Sequence, residues 1–373
     1  MTSDEGSNPT AQDPSIVGED GRVLLFSCER FVRDIVDGDC CFVCGAEPGT
    51  KVFNDEHIIP RWVLRRFGLF FKTIKLPNGE RRQYDRYKVP CCKDCNSLLG
   101  ERVETPVSKL LEGAADEVVK RIVEQGPDLV FVWLTLLFLK IHLKDRSVRV
   151  HKNPTLGREA VGEMYDWPSF HHIHAVARSP YTQATLLPGV IGTLRIFPID
   201  DSLLVDEFDY LSFSFEQTIA VRIGNVGIVA VLDDAGASAQ AWAHELEEIR
   251  WPISTIQLKE LAAMFAVAND DLQSRPQFGT AVERRAKVSI FARVPRPRHA
   301  AFDREKFGHA LAFALRDLIE KGAIGLGGTR DPATIAEIIE AGGGRFLLDG
   351  DGRQLRMEAM SASPSTDADQ QET

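Results

Sequence analysis

The chain of 373 residues has no apolar stretch that would serve as an export signal, and no apolar run long enough to cross a bilayer. The nearest approach, Val130 to Leu143, is dense in Phe, Leu and Trp but short, and Lys140 and His142 interrupt it. It is expected to be a buried helix. These absences predict a cytoplasmic protein with no membrane partner, in a reducing compartment where disulfides do not persist. Positive charge is missing overall: the net charge of −10 argues against indiscriminate electrostatic binding to nucleic acid. There is no internal repeat. Cysteine is sparse at seven residues, and His57 is the only histidine before His142. Scarcity makes the placement of both residue types informative.

Four of the seven cysteines fall in two pairs, Cys41-x-x-Cys44 and Cys92-x-x-Cys95. A two-residue spacer lets the chain turn back and present both sulfurs to one tetrahedral zinc ion. Cys28 is left over. Cys40 and Cys91 are doublet neighbours whose use would lengthen the spacer to three. Four sulfurs leave no open coordination position, so this zinc is expected to be structural and any chemistry must lie elsewhere. Between the pairs stands Glu56-His57-Ile58-Ile59-Pro60, and Asn96 directly follows the last cysteine. A neutral imidazole is suited to take a proton from water near pH 7. Carboxylate and amide oxygens are hard donors, suited to magnesium or manganese. On a strand, Glu56 and His57 would point to opposite faces and take separate roles.

At these residues the chain resembles the HNH endonuclease family, whose core is a ββα-metal fold. The matching elements are Cys41 and Cys44, Glu56, His57, Pro60, Cys92 and Cys95, and Asn96. The resemblance spans roughly residues 38–112. It implies that His57 is the general base of phosphodiester hydrolysis and that Glu56 and Asn96 hold a catalytic magnesium or manganese ion. The chain departs from the family pattern twice. The middle Asn that orients the base falls on Tyr87, and the final ligand falls on Gly100, with Glu104 as a substitute candidate. A module that keeps the zinc but lacks catalysis, binding DNA or protein, is the alternative.

Between Arg61 and Pro90 the charge balance reverses to +7, through Arg61, Arg65, Arg66, Lys72, Arg81, Arg82, Lys88 and two further basic residues against Glu80 and Asp85. Lysine and arginine that neutralise phosphates release condensed counterions, so this segment is the expected DNA contact. Trp62, Phe67, Phe70 and Phe71 are interleaved with it; their spacing assigns them to a small core, with base stacking as the alternative. Asn78-Gly79 predicts a tight hairpin turn.

The expected fold class is α+β: a ββα zinc module over 21–125, then a larger α+β domain over 126–358, flanked by disordered segments at 1–20 and 359–373. Helices are predicted over 97–111, 109–124, 236–248, 256–267, 303–321 and 331–341. Strands are predicted over 193–198, 211–222, 227–232 and 287–294, with turns at Gly224-Asn225 and Gly350-Asp351-Gly352. His171-His172-x-His174 reads as polar surface, with His172 and His174 on one strand face. Gly325-Leu326-Gly327-Gly328 reads as a turn. A basic stripe of +6 over 284–306 offers an extended DNA track, a site for a small anionic or nucleotide activator, or charged protection of a strand edge. Restriction or anti-phage defence suits such a composite chain, and double-strand cleavage from one site per chain would call for a homodimer.

Overall fold

The computed structural model describes residues 15–200, 207–283, 287–322, 324, 326, 328–348 and 354–355. The expected turn at 350–352, the 359–373 tail, Arg284, Arg285, Gly325 and Gly327 lie outside them, as do the first 14 residues of the 1–20 segment. The class is mixed α+β with several small sheets.

A short hairpin of β1 (Ile16–Val17) and β2 (Val23–Leu25) leads into α1 (Cys28–Arg30) and a π-helical turn. Next come β3 (Glu56–His57), α2 (Arg61–Arg66), β4 (Thr73–Lys75), β5 (Arg81–Gln83) and β6 (Lys88–Val89). The β4–β5 hairpin turns at Asn78-Gly79 as expected: Gly79 sits at φ +82°, where an L side chain is disfavoured, and Asn78 Oδ1 accepts from Glu80 N. β3 and β6 pair antiparallel, Glu56 opposite Val89 and His57 opposite Lys88. α3 (Lys93–Leu99) follows directly, completing a strand–strand–helix unit.

The predicted 97–111 helix is interrupted. A π-helical segment at Gly100–Glu104 separates α3 from α4 (Thr105–Leu110), and Gly113 at φ +96° turns the chain into α5 (Ala115–Gln125). α6 (Asp128–Asp145) is buried along nearly its whole length, as its apolar run predicts. No helix among the described residues is long and apolar enough to cross a membrane.

α7 (Phe170–Ala177) contains the three histidines, so His172 and His174 lie on a helix and not on a strand. Three apolar residues on the 3.6-residue period (Phe170, Ile173 and Ala177) drive this face inward against α6 and override the short alternation. After α8 (Ser179–Thr182) and β7 (Thr185–Leu186) comes an antiparallel sheet of β8 (Leu194–Pro198), β9 (Phe208–Phe213), β10 (Thr218–Ile223) and β11 (Val226–Val231), ordered β8-β11-β10-β9. The single strand expected over 211–222 is therefore two, split by a turn over residues 214–217. α9 (Ala237–Ala241) and α10 (Ala243–Glu248) break the expected 236–248 helix at Trp242. α11 (Thr255–Asp270) packs on β10 and β11, and β12 (Gln277–Val282), missed in the sequence, pairs with β13 (Val288–Arg293). α12 (Arg304–Glu320) and α13 (Pro332–Glu340) complete the chain.

Two apolar cores result. One unites the cysteine segments, α5, α6, α7 and one face of the four-stranded sheet, and so runs across position 125. The other lies on the sheet's opposite face, under α11, α12 and α13.

Candidate active site and metal centre

The four cysteines meet. The Cys41–Cys44 turn closes through Gly45, which donates from N to Cys41 O at φ +73°. A Cβ there would come within 2.6 Å of the Phe26 ring, so only glycine fits. Cys92 precedes the first turn of α3 and Cys95 lies on it, which brings the sulfurs of Cys41, Cys44, Cys92 and Cys95 within 4.8 Å of one another. Zinc–sulfur bonds of about 2.3 Å in a tetrahedron separate sulfurs by roughly 3.8 Å. The Cys44–Cys92 separation is 3.8 Å, so the residues fit a structural zinc. Cys91 lies near, 3.9 Å from Cys41 Sγ, but outside the four-sulfur cluster.

Two supports of this centre were not foreseen: His174, expected on a polar surface, is buried, and Arg178 stood out in no motif. His174 Nε2 lies 2.8 Å from Phe42 O, and the buried Arg178 donates to Val43 O and Val23 O while stacking on Phe26. A guanidinium beside a cluster of thiolates offsets part of their charge. Both residues lie more than 130 positions from the turn they hold.

Glu56 and His57 leave β3 on opposite sides. Glu56 is buried, and its carboxylate accepts from Lys140 Nζ at 2.9 Å; the same ammonium donates to His57 O at 2.9 Å and lies 3.4 Å from Glu104. Glu104, which the sequence offers as a spare ligand, thus shares this interior network, and burial pushes its carboxyl up to about 8. The imidazole of His57 faces the other way, 12% exposed, with Nε2 3.1 Å from Asp85 Oδ1. Partial burial lowers its pKa, which keeps it neutral at pH 7, while the hydrogen bond to Asp85 opposes the shift.

Asn96 Nδ2 donates to Asn54 Oδ1 and to Asp55 O, both at 3.0 Å, so its oxygen remains as a ligand atom. Glu56 and Asn96 therefore share no partner: one is held on Lys140 in the interior, the other among loop oxygens. Tyr87, at the position of the missing middle Asn, is fully buried and donates to Asp145 Oδ1 at 2.7 Å. Asp85, two residues earlier, is the residue that reaches the imidazole. Sequence spacing did not single it out, although it is one of only two acids in the basic segment.

Of the expected phosphate contacts, Arg61, Arg65, Arg66, Lys72 and Arg81 are exposed, and Arg82 and Lys88 are half-buried. The hydrogen bond from His57 depresses the Asp85 carboxyl, and Lys88 and Arg61 lie close enough to add to the effect. Arg66 is engaged internally, donating to Leu111 O at 2.9 Å. Three of the interleaved aromatics pack: Trp62 against Trp133, Phe67 on Phe208, and Phe70 against the first core. Phe71 is 91% exposed. In the 284–306 stripe, Lys287, Arg293, Arg296, Arg298 and Arg304 are exposed, whereas Lys306 is paired with Asp270 and Asp271. The three histidines of α7 gather no second metal centre: among the described residues the four cysteines are the only such group.

No family model matches this chain, and no curated protein or solved structure matches it either.

Proposed function

We propose that the chain is a metal-dependent endonuclease that hydrolyses DNA phosphodiester bonds, built on a zinc-held ββα unit of the HNH type. One observation carries this reading: a neutral, solvent-reaching imidazole, His57, stands on the strand of that unit with a carboxylate, Asp85, on its ring nitrogen. A base oriented by a carboxylate in this way takes a proton from water on its free nitrogen. Arg61 and Lys88 beside it favour an approaching phosphate.

A divalent cation bound to hard oxygen donors would stabilise charge on the scissile phosphate and on the leaving oxygen. Asn96, with Asn54 and Asp55 around it, offers such donors, and an ion of the magnesium type keeps several waters. Glu56 takes an indirect part in this reading. Its carboxylate accepts from Lys140, so it fixes β3, and with it the height of His57, from behind.

The second reading, a zinc-structured module that binds DNA without cutting it, is favoured by one fact: the cysteines are the only three-or-more cluster of His, Cys, Asp or Glu among the described residues. Purified wild type and His57→Ala, incubated with supercoiled plasmid over magnesium, manganese and nickel, separate the two. Metal-dependent nicking or linearisation that the substitution removes, with zinc retained at one per chain, is the expected result. Retarded plasmid without cleavage by the wild type would instead establish the binding module.

A further inference from the structure

A cleft of about 460 Å³ opens where the β9–β10 turn meets α7 and β12. Its size falls in the range of small-molecule sites, roughly 300–1,000 Å³. Its walls are aromatic and flat. Phe278 stacks on His172 with ring centroids 3.5 Å apart and planes 10° from parallel, and Phe215 stands 60% exposed beside Tyr165. An exposed phenylalanine at the mouth of a concave site is a surface that a ring can cover.

The floor is polar and incompletely satisfied. Gln217 is 3% exposed and occupies a left-handed backbone position at φ +45°, a costly place for a long side chain. Ser169 Oγ spends its proton on Asp166 O, so it can only accept from Gln217, which fixes the amide with Nε2 on the serine. Gln217 Oε1 is then left buried with no partner among the described residues, and so is His172 Nε2. Burying an acceptor without a donor is unfavourable, and a ligand N–H supplies what is missing.

Charge excludes one ligand class. Asp233 and Asp166 line the cleft against a single guanidinium, and Arg275 is already committed to Asp233 Oδ2 at 3.2 Å and to Asn269. Burial keeps His172 neutral, with its pKa pushed to about 3, so the ring adds no positive charge at ordinary pH. An anion finds no free counter-charge here.

We infer that this cleft binds an uncharged planar nitrogen heterocycle bearing N–H donors, the chemical class of a nucleobase or its nucleoside. The ring lies against Phe215 and the Phe278–His172 stack, and an N–H donates to Gln217 Oε1. The inference is independent of the nuclease reading, because its readout is binding and not cleavage.

The test is isothermal titration of the full chain with adenosine, guanosine, cytidine and adenosine 5′-monophosphate. Saturable binding of at least one nucleoside at one per chain is expected, weakened by the 5′-phosphate. Gln217→Leu should weaken it about tenfold, the worth of one buried hydrogen bond. Phe215→Ala should weaken it several-fold with an unchanged melting temperature, since that side chain supports little of the core; this variant keeps the test decisive where Gln217→Leu fails to fold. No saturable heat with any nucleoside at millimolar concentration, or binding that Phe215→Ala leaves untouched, overturns the assignment. Tighter binding of the monophosphate overturns its charge argument.

Discussion

Lys140→Met is the most informative perturbation of the interior. The lysine side chain is 4% exposed and faces Glu56, itself 6% exposed, at 2.9 Å, with Glu104 at 3.4 Å. One ammonium between two carboxylates supports one ionised acid well, and burial holds the other, Glu104, protonated, with its pKa up at about 8. Methionine matches the lysine stem in length but removes the cation, which leaves Glu56 buried and uncompensated. Removing one partner of a buried pair costs about 3–5 kcal/mol. The pH dependence has a definite sign. Without Lys140 the buried Glu56–Glu104 pair has no cation, so the fold must hold protons that the unfolded chain releases above about pH 4.3. The variant is then most stable below that pH and loses stability as pH climbs and the folded pair resists ionising. The deficit relative to wild type should therefore widen between pH 5 and pH 8. Urea denaturation followed by tryptophan fluorescence reads this directly, because Trp133 on α6 lies 6.2 Å from Trp62. Lys140→Met/Glu56→Gln should recover most of the loss. Equal midpoints for wild type and Lys140→Met at pH 7, or a deficit independent of pH, would refute the reasoning.

Other expectations follow from the same geometry. Cys92→Ala should lose the zinc and unfold the module, while Cys91→Ala should keep one zinc per chain by native mass spectrometry, because only Cys92 belongs to the four-sulfur cluster. In a pH–rate profile of plasmid cleavage, the acidic limb should fall below pH 6.5, because partial burial lowers the His57 pKa and the base is free above it. Asp85→Asn should move that limb lower still, since the carboxylate favours the protonated ring. A profile that breaks above pH 7 in the wild type would remove His57 as the base. Phe71→Ala should change the unfolding free energy by no more than about 0.5 kcal/mol, as for other exposed sites. It should nonetheless weaken DNA binding in a gel-shift assay, because a bare ring amid arginines is available to stack on bases.

What the sequence disclosed was local. Two sulfurs three positions apart, a glycine after an asparagine and an apolar run of helical length all act within one turn of chain, so spacing alone locates them. What it concealed was long-range. Lys140 lies 84 residues from Glu56 and Asp85 lies 28 from His57, and no periodicity links either pair. Neither Lys140 as the partner of Glu56 nor Asp85 as that of His57 can therefore be read from spacing. The histidine cluster misled for a different reason: over four residues, alternation and helical period predict nearly the same pattern, and only the packing of Phe170 and Ile173 against α6 decides between them. The 211–222 strand misled because no glycine or proline marks the break at Ser214–Gln217; the turn is made instead by glutamine in a left-handed position.

The same helix explains how so small a sheet can hold a site. A two-stranded pair of two residues each has too few hydrogen bonds to persist alone. α6 clamps both strands. Lys140 binds Glu56 on β3, and Asp145, five residues further along the helix, accepts from Tyr87 just before β6. Both anchors are buried, and the helix between them belongs to the core that also carries the four-stranded sheet. The distance from Lys140 to Asp145 is about 7.5 Å at 1.5 Å rise per residue, enough to hold two neighbouring strands about 4.8 Å apart. His57 on one strand and Asp85 beside the other are thus set against each other by a single rigid element. It follows that Tyr87→Phe, which frees β6 alone, should loosen the His57–Asp85 contact without touching either residue. The nitrogen-15 shifts of the His57 ring should then move toward those of a freely titrating imidazole, and an unchanged ring titration would show that α6 does not set the geometry.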